Sequence, residues 1–261
     1  MFLTGVPVTQ RVRDVGVGRW SSEWRGAAVE VSDLAGGAEP LIGQDREAVS
    51  PALVGLAVDY LTRVSMGEEL ADVFVPAQLG ADILRKEKVF QQLLTQVTGT
   101  DVRSVRATIM LSTFDAAYRA GIHAYQPVAE AAIDDASVTN VQRMVERMSV
   151  FTQQYGPPVA TGMTFEGGGY TSVVSQGDAD FLFPKMLVDM KVSKRKPQGA
   201  TWLQLAMYWR MGLRCAAHEM YVPVEKLVVA NPRLNKVCAL PVSGLSEEFV
   251  WSVDHEVIGY R

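Results

Sequence analysis

The chain has 261 residues, 48% of them hydrophobic and 21% charged, with a formal net charge of -4. That length suffices for a buried core in one large domain or two small ones. The composition is ordinary for a globular protein, and the slight acidity excludes a uniformly basic surface, so contact with nucleic acid would need a local basic patch and bound cations.

The N-terminus, Met1 to Gly18, contains Arg11, Arg13 and Asp14 and lacks a signal-type apolar run. No stretch approaches the ~20 apolar residues that span a bilayer, so a soluble, cytoplasmic protein without membrane contact is expected. The first 50 residues are rich in Gly and turn formers and read as loops with short strands such as Ala27–Val31. Ser50-Pro51 then opens a helix, with Ser at the N-cap, Pro in the first turn and Gly67 as its stop. Its apolar positions Leu53, Val54, Leu56, Ala57, Tyr60, Leu61 and Val64 recur at helical spacing.

Three more helices are predicted: Ile83–Val97, ending before Gly99; Val102–Ala120, opening after Asp101; and Thr139–Gln153, with Thr139 and Gln142 in capping-box positions. Beyond Pro157-Pro158 the pattern shortens to strands at Val159–Phe165, Tyr170–Ser175, Ala179–Phe183 and Leu187–Val192. The Gly167-Gly168-Gly169 triplet lacks the Lys-Ser/Thr and following helix of a phosphate loop and reads as a hairpin turn. A helix over Thr201–Arg214, strands near Glu219–Val222, Leu227–Ala230 and Lys236–Pro241, and a helix over Ser246–Val257 complete the chain. The expected organisation is a single α/β domain over 1–261: an irregular segment to 50, a helical layer over 51–156, and a sheet core over 157–261.

Two cysteines, Cys215 and Cys238, and three histidines, His123, His218 and His255, offer no C-x-x-C or H-x-x-x-H pair. They do not suggest a zinc site, and reduced thiols are expected. The chemistry concentrates elsewhere, in Asp178-Ala179-Asp180 and Asp189-Met190-Lys191, where acids are embedded in apolar strand sequence. Residues two apart on a strand share a face, so Asp189 and Lys191 project together. A hairpin closing at Pro184–Met186 would bring Asp180 alongside them.

Two carboxylates can hold a hard cation such as Mg2+, which retains several waters, while the amine assists a water or neutralises developing charge. On the following helix Gln204 and Tyr208 lie one turn apart on one face. Lys194, Arg195 and Lys196, between strand and helix, read either as a grip on a nucleic-acid backbone or as a solvated basic turn.

Gly177-x-x-Asp180, Asp189-Met190-Lys191 and Gln204-x-x-x-Tyr208, in this order and at these separations, resemble the PD-(D/E)XK nuclease superfamily, especially its RecB-like branch. The resemblance covers mainly residues 50–65 and 160–230. It implies a restriction-endonuclease-like αβββαβ core with extra N-terminal helices. It also implies Mg2+ or Mn2+ on Asp180, Asp189 and the Met190 carbonyl, with Lys191 assisting the attacking water and Gln204 orienting the site. Nucleic acid, DNA foremost, is the implied partner, with Lys194, Arg195, Lys196 and Tyr208 as its contacts. In Gly55-Leu56-Ala57-Val58-Asp59 the family's metal-binding His is replaced by Asp59, which keeps a hard-metal ligand. Arg63 at i+4 offers Asp59 an ordinary helix-surface pair instead.

The rival to a phosphodiester hydrolase is a module that retains the fold and binds nucleic acid or protein without turnover. In that case Asp189 and Lys191 form a structural ion pair.

Overall fold

A computed structural model describes residues 5–20, 23–24, 29–36 and 38–261. The chain divides into two compact units, Met1–Asp33 with Tyr155–Arg261, and Leu34–Gln154.

The second unit is helical, and three of its helices start at side-chain caps that the sequence carries. Ser50 accepts from Leu53 N to start Pro51–Ser65, and Asp101 accepts from Arg103 N and Ser104 N to start Val102–Ala120. The predicted helix Ile83–Val97 is broken. Val75–Ile83 and Glu87–Leu94 are separate helices, joined through Arg85 at φ 56°. Lys86 N–H reaches Ala81 O and Arg85 N–H reaches Asp82 O, the paired bonds of a Schellman end with arginine in the usual glycine place. The helix predicted from Thr139 starts a turn earlier and runs over Asp135–Tyr155, because Asp134 takes the Ser137 N–H at 2.8 Å.

The first unit carries a mixed six-stranded sheet with flanking helices, so the α/β expectation holds at that level. Its strands are β2 (Glu30–Asp33), β3 (Ala160–Met163), β5 (Ala179–Phe183), β6 (Met186–Met190), β7 (Lys226–Asn231) and β8 (Lys236–Pro241), ordered β2-β8-β7-β6-β5-β3. β3, β5 and β6 pair antiparallel in sequence; β6 and β7 pair parallel across the crossover helix Gly199–Gly212. A parallel pair needs such a crossover, which is why the helix lies between these strands in the chain. Leu182, Leu187, Leu227 and Leu240 share a buried core with Leu203 and Met207 of that helix.

Two further strands, β1 (Val6–Pro7) and β4 (Val174–Gln176), form a separate parallel pair. The expected Gly167–Gly169 hairpin is therefore a turn between strands that do not pair with each other. The expected strand Glu219–Val222 is a 3-10 turn, His218–Met220, whose apolar signal comes from the buried Tyr221. Helix Val8–Val15, unpredicted, buries Val8 and Val12 in the core of the crossover helix. Of the expected strand Ala27–Val31, residues 27 and 28 lie outside the described ones, and pairing begins at Glu30.

The C-terminal helix Glu247–Ser252 continues as a π-helical turn, Val253–Ile258. Asp254 of that turn accepts two bonds from Arg210 of the crossover helix, at 2.8 and 2.6 Å. No helix among the described residues is long and apolar enough to cross a membrane.

Candidate functional site

The site is built on the β5–β6 hairpin. Phe181 pairs with Val188, Leu182 with Leu187 and Phe183 with Met186 around the turn at Pro184-Lys185. Continuing that register by one residue sets Asp180 opposite Asp189, and directly opposed residues of an antiparallel pair share a face. The carboxylate of Asp180 is tied across the hairpin: its Oδ2 accepts the Met190 N–H at 2.6 Å. The two acids thus meet as the alternating strand pattern requires.

Asp189 is 2% exposed. Its Oδ1 accepts from Lys191 Nζ at 2.9 Å, whereas its Oδ2 is buried without a hydrogen-bond partner. Burial pushes the Asp189 carboxyl above the ordinary aspartate value, against the opposing pull of Lys191; the charge of Asp178 adds to the rise. For Lys191, burial alone would lower the ammonium, but Asp189, Asp180 and Asp178 outweigh it and hold the amine charged beyond the ordinary lysine range. The amine stands just past the end of β6, and its side chain keeps 36% of its surface exposed.

The crossover helix adds Gln204 and Tyr208 as expected from their spacing. Gln204 Nε2 donates to Tyr208 Oη at 2.9 Å. Tyr208 stacks on Phe165 with ring centroids 5.4 Å apart and is buried. Burial, with Asp178 and Asp189 adding to it, keeps the phenol proton well above its ordinary value, so this hydroxyl stays neutral. The contact with nucleic acid expected of Tyr208 is corrected here: an enclosed ring supports Gln204 and does not reach a polymer outside.

Gly177 has a packing reason for being glycine. A Cβ there would stand 2.8 Å from Val8 Cγ2 and 3.1 Å from Tyr208 Cε1. Its carbonyl accepts the Tyr170 hydroxyl at 2.8 Å. The glycine of the sequence pattern thus lets the strand approach the tyrosine of the same pattern.

Lys194, Arg195 and Lys196 are exposed. Their turn is fixed from below by the buried Asn231, whose Nδ2 donates to Ser193 O at 2.8 Å. Asp59 is half-buried on Pro51–Ser65 in the helical unit. Arg63, its expected partner, donates to Glu68 at 3.0 and 2.8 Å and also feels the charge of Asp59. Cys215 and Cys238 are free and buried.

Among the described residues, no three His, Cys, Asp or Glu side chains form a group that could hold a metal. A cation here would have two carboxylates and complete its shell with backbone carbonyl and water, as Mg2+ commonly does. Two further features border the site. Asp178 is exposed, yet its charge reaches Asp189, Lys191 and Tyr208. Trp202 of the crossover helix, 4% exposed in the core, also borders a cavity of about 400 Å3 together with Trp24, Lys196 and Cys238. Searches for a matching family model, a similar curated protein and a similar solved structure each found none.

Proposed function

We propose that this chain is a metal-dependent nuclease of the PD-(D/E)XK type, hydrolysing phosphodiester bonds in nucleic acid, DNA foremost. One observation carries the reading: the buried Oδ2 of Asp189 has no hydrogen-bond partner, directly across the hairpin from a second carboxylate. An unsatisfied buried carboxylate oxygen costs about 1–3 kcal/mol or more, and a hard cation would relieve it. The β3–β5–β6–helix–β7 order also agrees with the βββαβ part of the implied core.

Asp180, Asp189 and the Met190 carbonyl would hold Mg2+ or Mn2+. The ion would supply Lewis acidity at the scissile phosphate and a more acidic water. The chain's own groups do the positioning. The Met190 N–H orients Asp180, and Lys191 opposes the burial-driven rise of the Asp189 carboxyl and stands at the exposed end of the strand, where it would steady the attacking water or the charge that develops on phosphate. Gln204, backed by Tyr208, would orient the same water. Asp59 enters as a ligand through the family resemblance alone.

A second reading, binding without turnover, is favoured by the Lys191–Asp189 pair, which already engages the amine. Incubation with single- and double-stranded DNA and Mg2+ or Mn2+ separates the two. Cleavage should fall roughly 100-fold or more in Lys191→Ala and vanish in Asp189→Ala. Wild-type rates in both variants, or no cleavage by the wild type, would remove the nuclease reading.

A further inference from the structure

Asn231 closes β7, the strand that runs parallel to the one carrying Asp189, and is 2% exposed. Its carboxamide binds backbone from two separate segments. Nδ2 donates to Ser193 O at 2.8 Å and reaches Arg195 O at 3.5 Å, while Oδ1 accepts the Leu234 N–H at 3.1 Å. A carboxamide offers donors and an acceptor on opposite arms of one plane, and these contacts use both arms. Aspartate would set a carboxylate against two carbonyl oxygens, and leucine would make none of the three bonds.

The loop that leaves β6 begins at Lys191, whose N–H donates to Ala230 O at 2.9 Å, one residue before Asn231. Ser193 N–H returns to Lys191 O at 3.1 Å, and Arg195 N–H donates to Ser193 Oγ at 3.0 Å. No strand or helix holds the chain from there until Gly199. Asn231 ties this irregular stretch to the end of the sheet. It draws the carbonyls of Ser193 and Arg195 inward, while Lys194, Arg195 and Lys196 remain exposed.

The geometry points to Asn231 as a positioning residue for nucleic acid: it fixes Lys194, Arg195 and Lys196 relative to Lys191, so that phosphates beside the scissile one are gripped in register with the carboxylates. This deepens the nuclease reading and rests on it. A loose loop would carry the same three charges, but its backbone would have to be ordered at the moment of binding. A loop already ordered by a buried side chain has met that cost during folding, and its cations bind phosphate with less loss. Asn231 touches no substrate atom and acts through the turn.

The probe is a homothymidine oligonucleotide, bound in EDTA over a range of salt concentrations so that no cleavage intervenes, with the thermal midpoint of each protein measured alongside. Asn231→Ala should weaken binding roughly tenfold and reduce the salt slope of log K by roughly 0.7–1.4, as when one or two phosphate contacts are lost on a single strand. In a background with Lys194→Gln, Arg195→Gln and Lys196→Gln, adding Asn231→Ala should change neither quantity, because the residue acts through those cations. In Mg2+-dependent cleavage, KM should rise by more than kcat falls, since Ala230 holds the Lys191 backbone independently. Ser193→Gly, which removes the Oγ bond to Arg195 N–H and loosens the turn without touching β7, should shift binding and slope the same way by a smaller amount.

A lowered thermal midpoint with unchanged binding and salt slope in Asn231→Ala makes the residue structural only and overturns the proposal. An equal loss with and without the three cations, or no binding by the wild type, overturns it as well. Should Asn231→Ala fail to fold, Ser193→Gly decides, and unchanged binding in that variant overturns the proposal. Failure of the nuclease reading shows separately, as absence of Mg2+- or Mn2+-dependent cleavage while Asn231-dependent binding persists.

Discussion

Lys191 Nζ donates to Asp189 Oδ1 at 2.9 Å, while the other oxygen of that carboxylate is buried without a partner. One amine thus half-satisfies one acid. Had Lys191 bridged both oxygens, the pair would be a closed structural feature. The asymmetry leaves a buried oxygen without a hydrogen-bond partner, and the expected behaviour of the metal-free protein follows from it.

Burial raises the Asp189 carboxyl above its ordinary value despite Lys191. A group raised in the folded state binds more protons there than in the unfolded chain, so stability falls as pH rises between the two values. Its contribution is full below the ordinary aspartate range and is lost as pH climbs through the raised folded value. Urea midpoints in EDTA should therefore decline over that window for the wild type. Asp189→Asn should flatten the decline; an identical decline in the variant would assign it to other groups.

Saturating Mn2+ should reverse the same loss. Binding at 100 times Kd stabilises by about 2.7 kcal/mol, readable as a rise in Tm near neutral pH. Asp189→Asn should lose most of this rise, and Asp180→Asn a large part of it. Equal rises in all three proteins would point to cation binding elsewhere.

Gly177→Ala should cost about 1–3 kcal/mol, because the new methyl overpacks Val8 and the ring of Tyr208. Displacing that ring also moves Gln204, so cleavage should fall by more than the stability change explains. Denaturant titration alongside the cleavage assay checks both; a variant as active and stable as wild type would show that the approach is not tight.

Tyr208→Phe removes the acceptor of the Gln204 bond and should cost about 1 kcal/mol. As a positioning residue, Tyr208 should affect kcat and leave KM unchanged. A raised KM at constant kcat would instead mean that the ring contacts substrate.

Neutralising Lys194, Arg195 and Lys196 together should weaken binding to every sequence alike. On a single strand it should also reduce the salt slope of log K by roughly 0.7 for each phosphate that these cations cease to neutralise. An unchanged slope would return the segment to an ordinary solvated turn.

The site was legible in the sequence to the extent that local periodicity governs it. Strand alternation set Asp189 and Lys191 on one face, and the four-residue helical step put Gln204 against Tyr208. Asp180 followed from a turn whose place Pro184 marks. The capping acids Asp101 and Asp134 show the limit: both cap a helix through a short polar sequence, but Thr139 offered a competing cap and drew the start a turn too late. Arg85 ends a helix with a positive φ that no glycine announces, so the apolar rhythm read straight through it.

Features made by pairing distant segments were not legible. The bond from Asn231 to Ser193 depends on the parallel register of β6 and β7, and the two residues lie 38 apart in the chain. The burial of Tyr208 depends on Phe165 and Val8. The division into two units joins the first 33 residues to the last part of the chain, which no local pattern could signal.

The most direct measurement is the anomalous difference density of a crystal soaked in Mn2+. A single peak within bonding distance of Asp189 Oδ2 and a carboxylate oxygen of Asp180, absent in Asp189→Asn, is the expected result. A soaked crystal with Asp189 Oδ2 hydrogen-bonded to protein and no peak between the two acids would contradict it.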